Sequence, residues 1–340
     1  GPVSGVHDRL HARAIVIDDG STRLAIVICD ACMIGRDVMD AAKKHVHTKS
    51  GLPLNRMLIA ATHTHAAVRM THIGTGPLDD EYHRLVSRRI ADAILQAEEN
   101  LAPARIGSGS FNKPEFIRCR RFLCEPGSVG PNPFGKLGER IKSVAGRSSA
   151  VLEPAGPVDP QFSILSIQHA DGKPLAVLGN FSVHYCGGYQ RGVVSADYFG
   201  HFAQALENKL NAGKGRPAFV GLMSNGTSGN TGSIQRGKPY PPFEWMKVSA
   251  QMLAQQTLQT IRKIKHRRDI SLSMVESELE LTVCRPDDER LQWAKNLLAD
   301  KSKAVKHPHR WSRVYANETI HLSKYPKTMK LRLQAIRIGP

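Results

Sequence analysis

The sequence predicts a mixed α/β (α+β) fold in which mixed β-sheets are flanked by α-helices, and two observations lead to this prediction. Four near-continuous apolar runs recur along the chain, and each ends in a small polar cluster. Segments with helical apolar spacing lie between and after these runs. Strands covered on both faces have such runs, because neither face meets water. The four runs are residues 24–29, 57–61, 175–183 and 218–223.

Four segments have the features of helices. Asp79 is a candidate N-cap for a long helix that extends to about Glu98, because apolar residues recur along it on one face. The other predicted helices are residues 37–47, 198–210 and 243–264. The last of these ends in basic residues, as suits a helix C-terminus.

Prolines and glycines are concentrated between residues 111 and 160, which excludes a regular helix or a central strand there. We therefore expect a long loop that covers an active site. Further on, residues 271–283 and 331–338 are predicted to be strands and residues 287–300 a helix. We assign residues 1–340 to a single domain.

Composition restricts the class of protein. A hydrophobic content of 41% and a charged content of 23% are ordinary for a globular chain. No apolar stretch is long enough to span a membrane, and we expect that any secretion signal has been removed or lies outside residues 1–340. The net charge of +17 is scattered and accompanies no nucleic-acid motif. We expect no nucleic-acid partner, whereas peripheral contact with an anionic surface or substrate fits the charge.

Cys29 and Cys32 have the CxxC spacing of a redox pair or of half a zinc site. Cys29 continues an apolar run, however, and no second CxxC follows. A cysteine buried in the core is therefore the favoured interpretation.

Histidines stand where two of the apolar runs end. His63 and His65 follow the second run, and residues i and i+2 of an extended segment point to the same face, roughly 6.5 Å apart. His184 ends the third run, and Asp30 the first. A catalytic zinc needs about three protein ligands and one open position. His63 and His184 are the best pair, while His65 is a third ligand, a proton shuttle or a substrate contact; Asp30 is a further catalytic candidate.

Substrate contacts are expected on the elements around these strand ends. The basic residues of the proline-rich segment either bind an anionic group or solvate the loop. Polar groups directly after the third and fourth runs face the same edge of the sheet. The predicted substrate-binding residues are Arg120, Arg121, Asn225 and Tyr185.

Several motifs together resemble the neutral/alkaline, non-lysosomal ceramidase N-terminal domain family. The similarity extends from about residue 5 to residue 230 and continues less distinctly to the end. The motifs are an opening like HDPLxARA at 7–14 with Arg9 in place of the proline, Ala-Thr-His-Thr-His at 61–65, an element like GPxDP at 155–160, Asn-Phe-Ser-Val-His at 180–184 and an Asn-rich turn at 224–230.

The resemblance implies a ceramidase catalytic-domain-like fold and a zinc-dependent amidase that hydrolyses an N-acyl linkage with a metal-activated water. His63 and His184 match the two histidine ligands of Zn²⁺, and His65 matches an active-site neighbour. Asn230 and the amides of its turn are expected to stabilise an oxyanion. The family's serine in GNxSPN falls on Gly232 here, unless Ser233 replaces it.

Two further departures affect the expected site. The family's glutamate and tyrosine zinc ligands follow a segment that resembles residues 333–339, so we expect both to be absent from this chain. Residues 185–189 differ from the family's usual sequence, which predicts a different substrate pocket.

The sequence thus predicts a zinc hydrolase that acts on a lipid-like or small-molecule substrate. The alternative is a family member without efficient chemistry that binds a lipid or an anionic glycan. Resemblance to largely secreted enzymes favours an extracytoplasmic location, either periplasmic or secreted. The oligomeric state is not predicted.

Overall fold

The structure, a computed structural model, describes residues 3–71, 78–143, 150–210, 218–235, 239–300 and 309–339. Its architecture is α/β with mixed sheets, as the sequence predicts. Within the described residues the helices are α1 (Arg36–Ser50), α2 (Asp80–Glu99), α3 (Asp197–Leu210), α4 (Glu244–Ile261), α5 (Asp288–Ala299) and α6 (Ser312–Ser323). The strands are β1 (Gly5–Val6), β2 (Ala12–Asp18), β3 (Arg23–Cys29), β4 (Met57–Ala61), β5 (Ala104–Asn112), β6 (Ile117–Cys119), β7 (Arg121–Cys124), β8 (Ile141–Ser143), β9 (Val151–Pro154), β10 (Gln161–His169), β11 (Pro174–Phe181), β12 (Val193–Val194), β13 (Val220–Asn225), β14 (Thr231–Ser233), β15 (Leu272–Thr282) and β16 (Thr328–Ile338).

The first large sheet has the strand order β2-β3-β4. Strands β2 and β3 are antiparallel, whereas β3 and β4 are parallel, so that β3 and β4 end at the same edge. Helices α1 and α2 cover one face of this sheet through a buried cluster that includes Val27, Val46 and Ile90. Asp79 caps α2, since its side chain accepts a hydrogen bond from the Tyr82 amide.

The second large sheet has the order β13-β11-β10-β5, in which only β11 and β13 are parallel. Helices α3 and α4 pack on one of its faces, where Phe162, Phe202 and Met246 are fully buried. The carboxyl ends of β11 and β13 therefore lie side by side.

The two sheets face each other across a third cluster, which completes a helix, sheet, sheet, helix arrangement. Ile26 and Ile28 of β3 meet Leu222 of β13 in this cluster, while Val27 points to α1 and α2 on the opposite face. Alternate residues of β3 thus enter two different cores, which explains why its sequence is apolar without interruption. The two sheets bring the ends of β4 and β11 towards each other.

Strands β15 and β16 form a long antiparallel ribbon, and α5 and α6 lie in the connection between them. The ribbon is tied to α1 by ion pairs, including Arg332 with Asp40 at 2.8 Å and Arg36 with Glu278 at 2.5 Å. No helix among the described residues is long and apolar enough to cross a membrane.

The proline-rich segment differs from the loop that the sequence suggests, because it carries four short strands, β6 to β9. Strands β7, β8 and β9 form a small antiparallel sheet, and β6 pairs with β14. Their short length is what glycines and prolines permit, since proline cannot donate to a ladder. Cys29 is a free thiol buried among the residues under α1 and α2, as the core interpretation predicts.

Candidate metal centre

His63 lies two residues beyond β4, at the point where the chain leaves the sheet. Its φ of 68° is left-handed, a conformation that is uncommon for a residue with a side chain. The His63 amide donates to the Ala31 carbonyl at 2.9 Å, and the Thr62 amide donates to the Cys29 carbonyl at 2.9 Å. These bonds hold the turn against the end of β3 and direct the imidazole away from the strand.

The His63 imidazole has a defined tautomer. Its Nδ1 lies 2.7 Å from the Cys32 carbonyl oxygen, which can only accept, so Nδ1 carries the proton. Nε2 is then left with a lone pair. A backbone carbonyl that orients a histidine in this way is typical of metal-binding sites.

His184 reaches the same place from the second sheet. It follows β11 by three residues, and it is only 7% exposed. Its Nδ1 donates to the Ser228 carbonyl at 2.9 Å, and its own carbonyl accepts from Asn225 Nδ2 at 3.2 Å. As in His63, the proton lies on Nδ1 and the Nε2 lone pair is free.

The two free nitrogens face each other, with His63 Nε2 and His184 Nε2 3.2 Å apart. Two lone pairs at this distance repel unless a cation or a proton lies between them. Nitrogens bound at ~2.0–2.1 Å to a tetrahedral zinc are about 3.3 Å apart. The tautomers and the spacing of His63 and His184 therefore fit the histidine share of a zinc site.

His65 joins this pair from the exposed side. Its Nε2 lies 3.2 Å from His63 Nε2, and its ring stacks on Tyr185 with centroids 4.2 Å apart. Burial, together with the neighbouring His63 and His184, lowers the pKa of His65 to about 4. Burial likewise lowers the pKa of His184 to about 4. Both imidazoles are neutral, and able to act as ligands or proton acceptors, at physiological pH.

Cys32 lies behind the His63 ring. Its Sγ is 3.8 Å from His63 Nδ1, on the side of the ring away from Nε2. One ligand atom each from Cys32, His63 and His65 can be chosen so that all lie within 4.8 Å of one another. The main contribution of Cys32 is its carbonyl oxygen, which fixes the tautomer of His63.

The two predicted arginines lie beside the turn that follows β13. Arg120 Nε donates to the Gly229 carbonyl at 3.1 Å, and Arg121 donates to Gly229 and to Asn230 Oδ1 at 2.8 and 2.7 Å. The charge of Arg120 is close enough to contribute to the lowered pKa values of His65 and His184. The side-chain oxygen of Asn230 is thus bonded to Arg121.

Three other predicted residues have distinct places. Asn225 holds the His184 carbonyl through Nδ2, while its buried Oδ1 has no partner among the described residues. The Ser233 hydroxyl donates to the Cys186 carbonyl at 3.4 Å. Asp30 is buried and accepts from the His11 amide at 2.9 Å and from Arg13 at 2.6 Å. Its described hydrogen bonds thus lie on the β2 side of the strand end.

Sequence reasoning did not identify the groups that orient the histidines. These are the backbone carbonyls of Cys32 and Ser228, which have no residue-type signature. The only available signal was position, since Cys32 follows the first apolar run and Ser228 lies in the asparagine-rich turn.

The chain is similar to neutral ceramidases in sequence and in structure. No protein-family model matches the chain. It is 24% identical over 257 residues to neutral ceramidase B of Dictyostelium discoideum, and 25% identical over 249 residues to the neutral ceramidase of Pseudomonas aeruginosa. Each alignment covers 69% of this chain, but only 32% and 33% of the respective relative.

Two solved structures share the fold. The crystal structure of the neutral ceramidase from Pseudomonas aeruginosa superimposes on 98% of this chain with a TM-score of 0.66 and 19% identity. A ceramidase complexed with C2 covers 84% with a TM-score of 0.59 and 21% identity. This chain spans 56% and 43% of those two chains, and about a third of the curated relatives. The chain is therefore related to the neutral ceramidases in sequence and has their fold over the part that it spans.

Proposed function

We propose that this chain forms part of a zinc-dependent hydrolase that resembles neutral ceramidase and cleaves an N-acyl amide or a related linkage. The proposal rests mainly on one observation, the 3.2 Å approach of two Nε2 lone pairs whose tautomers are fixed by backbone carbonyls. The relationship to neutral ceramidases supports the same class of chemistry.

In this proposal His63 and His184 hold the zinc through Nε2. Bound there, zinc would activate a water molecule and polarise the scissile carbonyl. His65 Nε2 lies 3.2 Å from His63 Nε2 and is neutral above about pH 4, so it is placed to accept a proton. Tyr185 holds the His65 ring by stacking.

Substrate recognition is assigned to groups around the imidazoles. Arg120 brings positive charge to the exposed side, where an anionic group or a developing oxyanion would be stabilised. The buried Oδ1 of Asn225, for which the described part of the chain offers no partner, is an acceptor for a substrate N–H. Asn230 and Ser233 act from further away, through Arg121 and the Cys186 carbonyl. We propose a lipid-like substrate and an extracytoplasmic location on the basis of the resemblance.

Metal analysis and hydrolysis test this function together. We expect the protein of which this chain forms part to bind one zinc ion, and His63→Ala and His184→Ala each to weaken binding by more than the ~10–100-fold that changes around the ligands produce. The matched control is His45→Ala, an exposed histidine of α1. Release of a fluorescent amine from an N-acylated lipid should require the bound metal.

Other outcomes would contradict the proposal in separate ways. Zinc affinity that is equal in the wild type and in both histidine variants would exclude this metal centre. Tight zinc binding without hydrolysis, together with retained binding of lipid vesicles, would favour the alternative, a protein without efficient chemistry that binds a lipid.

A further inference from the structure

The first two residues of α3 hold the backbone on both sides of His184. Tyr198 Oη donates to the carbonyl of Val183, the residue before His184, at 2.9 Å. Asp197 accepts hydrogen bonds from the amides of Cys186 and Gly187, two and three residues after His184, at 3.1 and 3.0 Å. We refer to Asp197 and Tyr198 together as the α3 clamp.

Asp197 occupies a position that is unfavourable for an aspartate unless its contacts compensate. Its residue surface is 0% exposed, and burial raises the pKa of its carboxyl group to about 6. Its φ of 55° is left-handed. Such features persist where the surrounding structure over-determines them, and they concentrate at functional sites.

The segment that Asp197 holds has intrinsic freedom. Gly187 and Gly188 follow His184 closely, and both have a left-handed φ, 71° and 76°. Glycine has more backbone conformations to lose than any other residue. Asp197 restricts this segment by accepting from two of its amides, those of Cys186 and Gly187.

A different element supplies the other bonds of His184. The carbonyl of Ser228, in the turn after β13, accepts from His184 Nδ1, and Asn225, the last residue of β13, donates to the His184 carbonyl. The imidazole is thus bonded to the turn after β13, whereas its flanking backbone is bonded to α3. A shift of this backbone would misalign His184 Nε2 with respect to His63 Nε2, 3.2 Å away.

We propose that Asp197 and Tyr198 are positioning residues that fix the backbone around His184 and thereby aim its Nε2 at His63. The inference rests on the proposed function in one respect, that His184 binds a zinc ion. The orientation of the His184 imidazole does not depend on it. A purely structural role, starting α3, is the competing explanation, because Asp197 also accepts from the Tyr198 amide at 2.6 Å.

Asp197→Asn is the main test. Asparagine has nearly the same shape and tolerates a left-handed φ, but it replaces one accepting oxygen by a donor. One backbone N–H then loses its acceptor. We expect the affinity for Zn²⁺, measured by competition with a chromogenic chelator, to fall by about 10–100-fold. Tyr198→Phe, which removes a single hydrogen bond, should produce a smaller loss in the same direction.

Asp19→Asn is the matched control. Asp19 also accepts hydrogen bonds from backbone amides, those of Ser21, Thr22 and Leu272, but it lies at the opposite end of β2 and β3 from the histidines. We expect this variant to lower the melting temperature and to leave the affinity for Zn²⁺ unchanged.

A second readout needs no metal. ¹⁵N NMR of the histidine side chains reports the tautomer, and the metal-free wild type should show His184 with its proton on Nδ1. In Asp197→Asn we expect a mixture of tautomers or a shifted His184 Nε2 signal, with His45 unchanged. Tyr198→Phe gives the same test if Asp197→Asn does not fold.

The outcomes separate this inference from the proposed function. Unchanged Zn²⁺ affinity and an unchanged His184 signal in folded clamp variants would overturn the inference and leave the zinc site intact. Absence of Zn²⁺ binding by the wild type would overturn the zinc site, and the NMR signal of His184 would then decide the inference alone.

Discussion

His63 Nε2 and His184 Nε2 lie 3.2 Å apart, although 121 positions separate the two residues in the chain. The first follows β4 in one sheet, and the second follows β11 in the other. Each histidine donates its Nδ1 proton to a backbone carbonyl, which leaves the lone pair on Nε2. The two Nε2 lone pairs therefore face each other. The two facing sheets therefore bring together two imidazole nitrogens from distant segments of the chain.

The pH dependence of the imidazoles is the first prediction. Burial lowers the pKa of both His65 and His184 to about 4, from an ordinary value of 6.5. The unfolded chain therefore binds protons before the folded one does, and the free energy of unfolding should decrease as the pH falls from 6.5 to about 4. Above pH 6.5 these two imidazoles should not make the free energy of unfolding depend on pH.

NMR titration of the metal-free chain measures these values directly. The C2 proton shifts of His65 and His184 should remain those of neutral imidazole from pH 8 to about 5. His65→Gln should make the loss of stability between pH 6.5 and 4 shallower. A midpoint above pH 6 for either residue would contradict the prediction.

Tyr185 is predicted to act through the ring of His65. Tyr185→Ala removes the stacking contact at 4.2 Å, and an aromatic pair of this kind is worth about 0.5–1.5 kcal/mol. We expect kcat on an N-acylated substrate to fall by roughly 2- to 10-fold while zinc affinity is kept. Tyr185→Phe should behave as the wild type. If the phenylalanine variant is as impaired as the alanine variant, the hydroxyl group contacts substrate and stacking is not its role.

Arg13 is predicted to be important for stability because it compensates the buried carboxylate of Asp30. The two groups are 2.6 Å apart, and the side chains of Arg13 and Asp30 are 17% and 0% exposed. Removing one partner of a buried pair costs about 3–5 kcal/mol. Arg13→Ala should lower the free energy of unfolding in urea by this amount, whereas Arg89→Ala, at the exposed pair with Asp92, should cost less than about 1 kcal/mol.

The same pair tests the catalytic role that the sequence suggests for Asp30. Asp30→Asn should reduce stability and leave turnover per folded molecule unchanged, since the described hydrogen bonds of Asp30 are to His11 and Arg13. Turnover that falls in the folded variant would instead support the catalytic assignment.

Much of the fold was predictable where burial on both faces leaves a continuous apolar run. Strand β4 has the bounds that its sequence predicts, Met57–Ala61, and Asp79 caps α2 as expected. The small strands β6 to β9 were not predicted, because prolines and glycines conceal strands of three or four residues. Helix α6 was not predicted either.

The site was predictable only in part, for a related reason. Histidines at strand ends mark the edge where His63 and His184 meet. The groups that orient them are backbone carbonyls, which any residue type supplies. In the sequence Asp197 only precedes the predicted helix 198–210, and the tertiary structure shows that its carboxylate holds the chain beyond His184.

The packing of β13 against α3 provides the last prediction. A Cβ added at Gly221 would lie 3.0 Å from the backbone Cα and O of Ala203, so α3 has to shift to make room, which costs more than moving a flexible side chain. Gly221→Ala should therefore cost about 1–3 kcal/mol in the free energy of unfolding. Gly130→Ala, where a Cβ meets nothing within 4 Å, is the control and should be nearly neutral.

The expected effect on the proposed metal site distinguishes this variant from an ordinary packing defect. Helix α3 carries Asp197 and Tyr198, so its displacement by Gly221→Ala should also move the backbone at His184. We expect the affinity for Zn²⁺ to fall in the folded variant, because α3 packs on Gly221 and also holds the backbone around His184. If stability falls while Zn²⁺ affinity stays at the wild-type value, α3 does not transmit its position to His184.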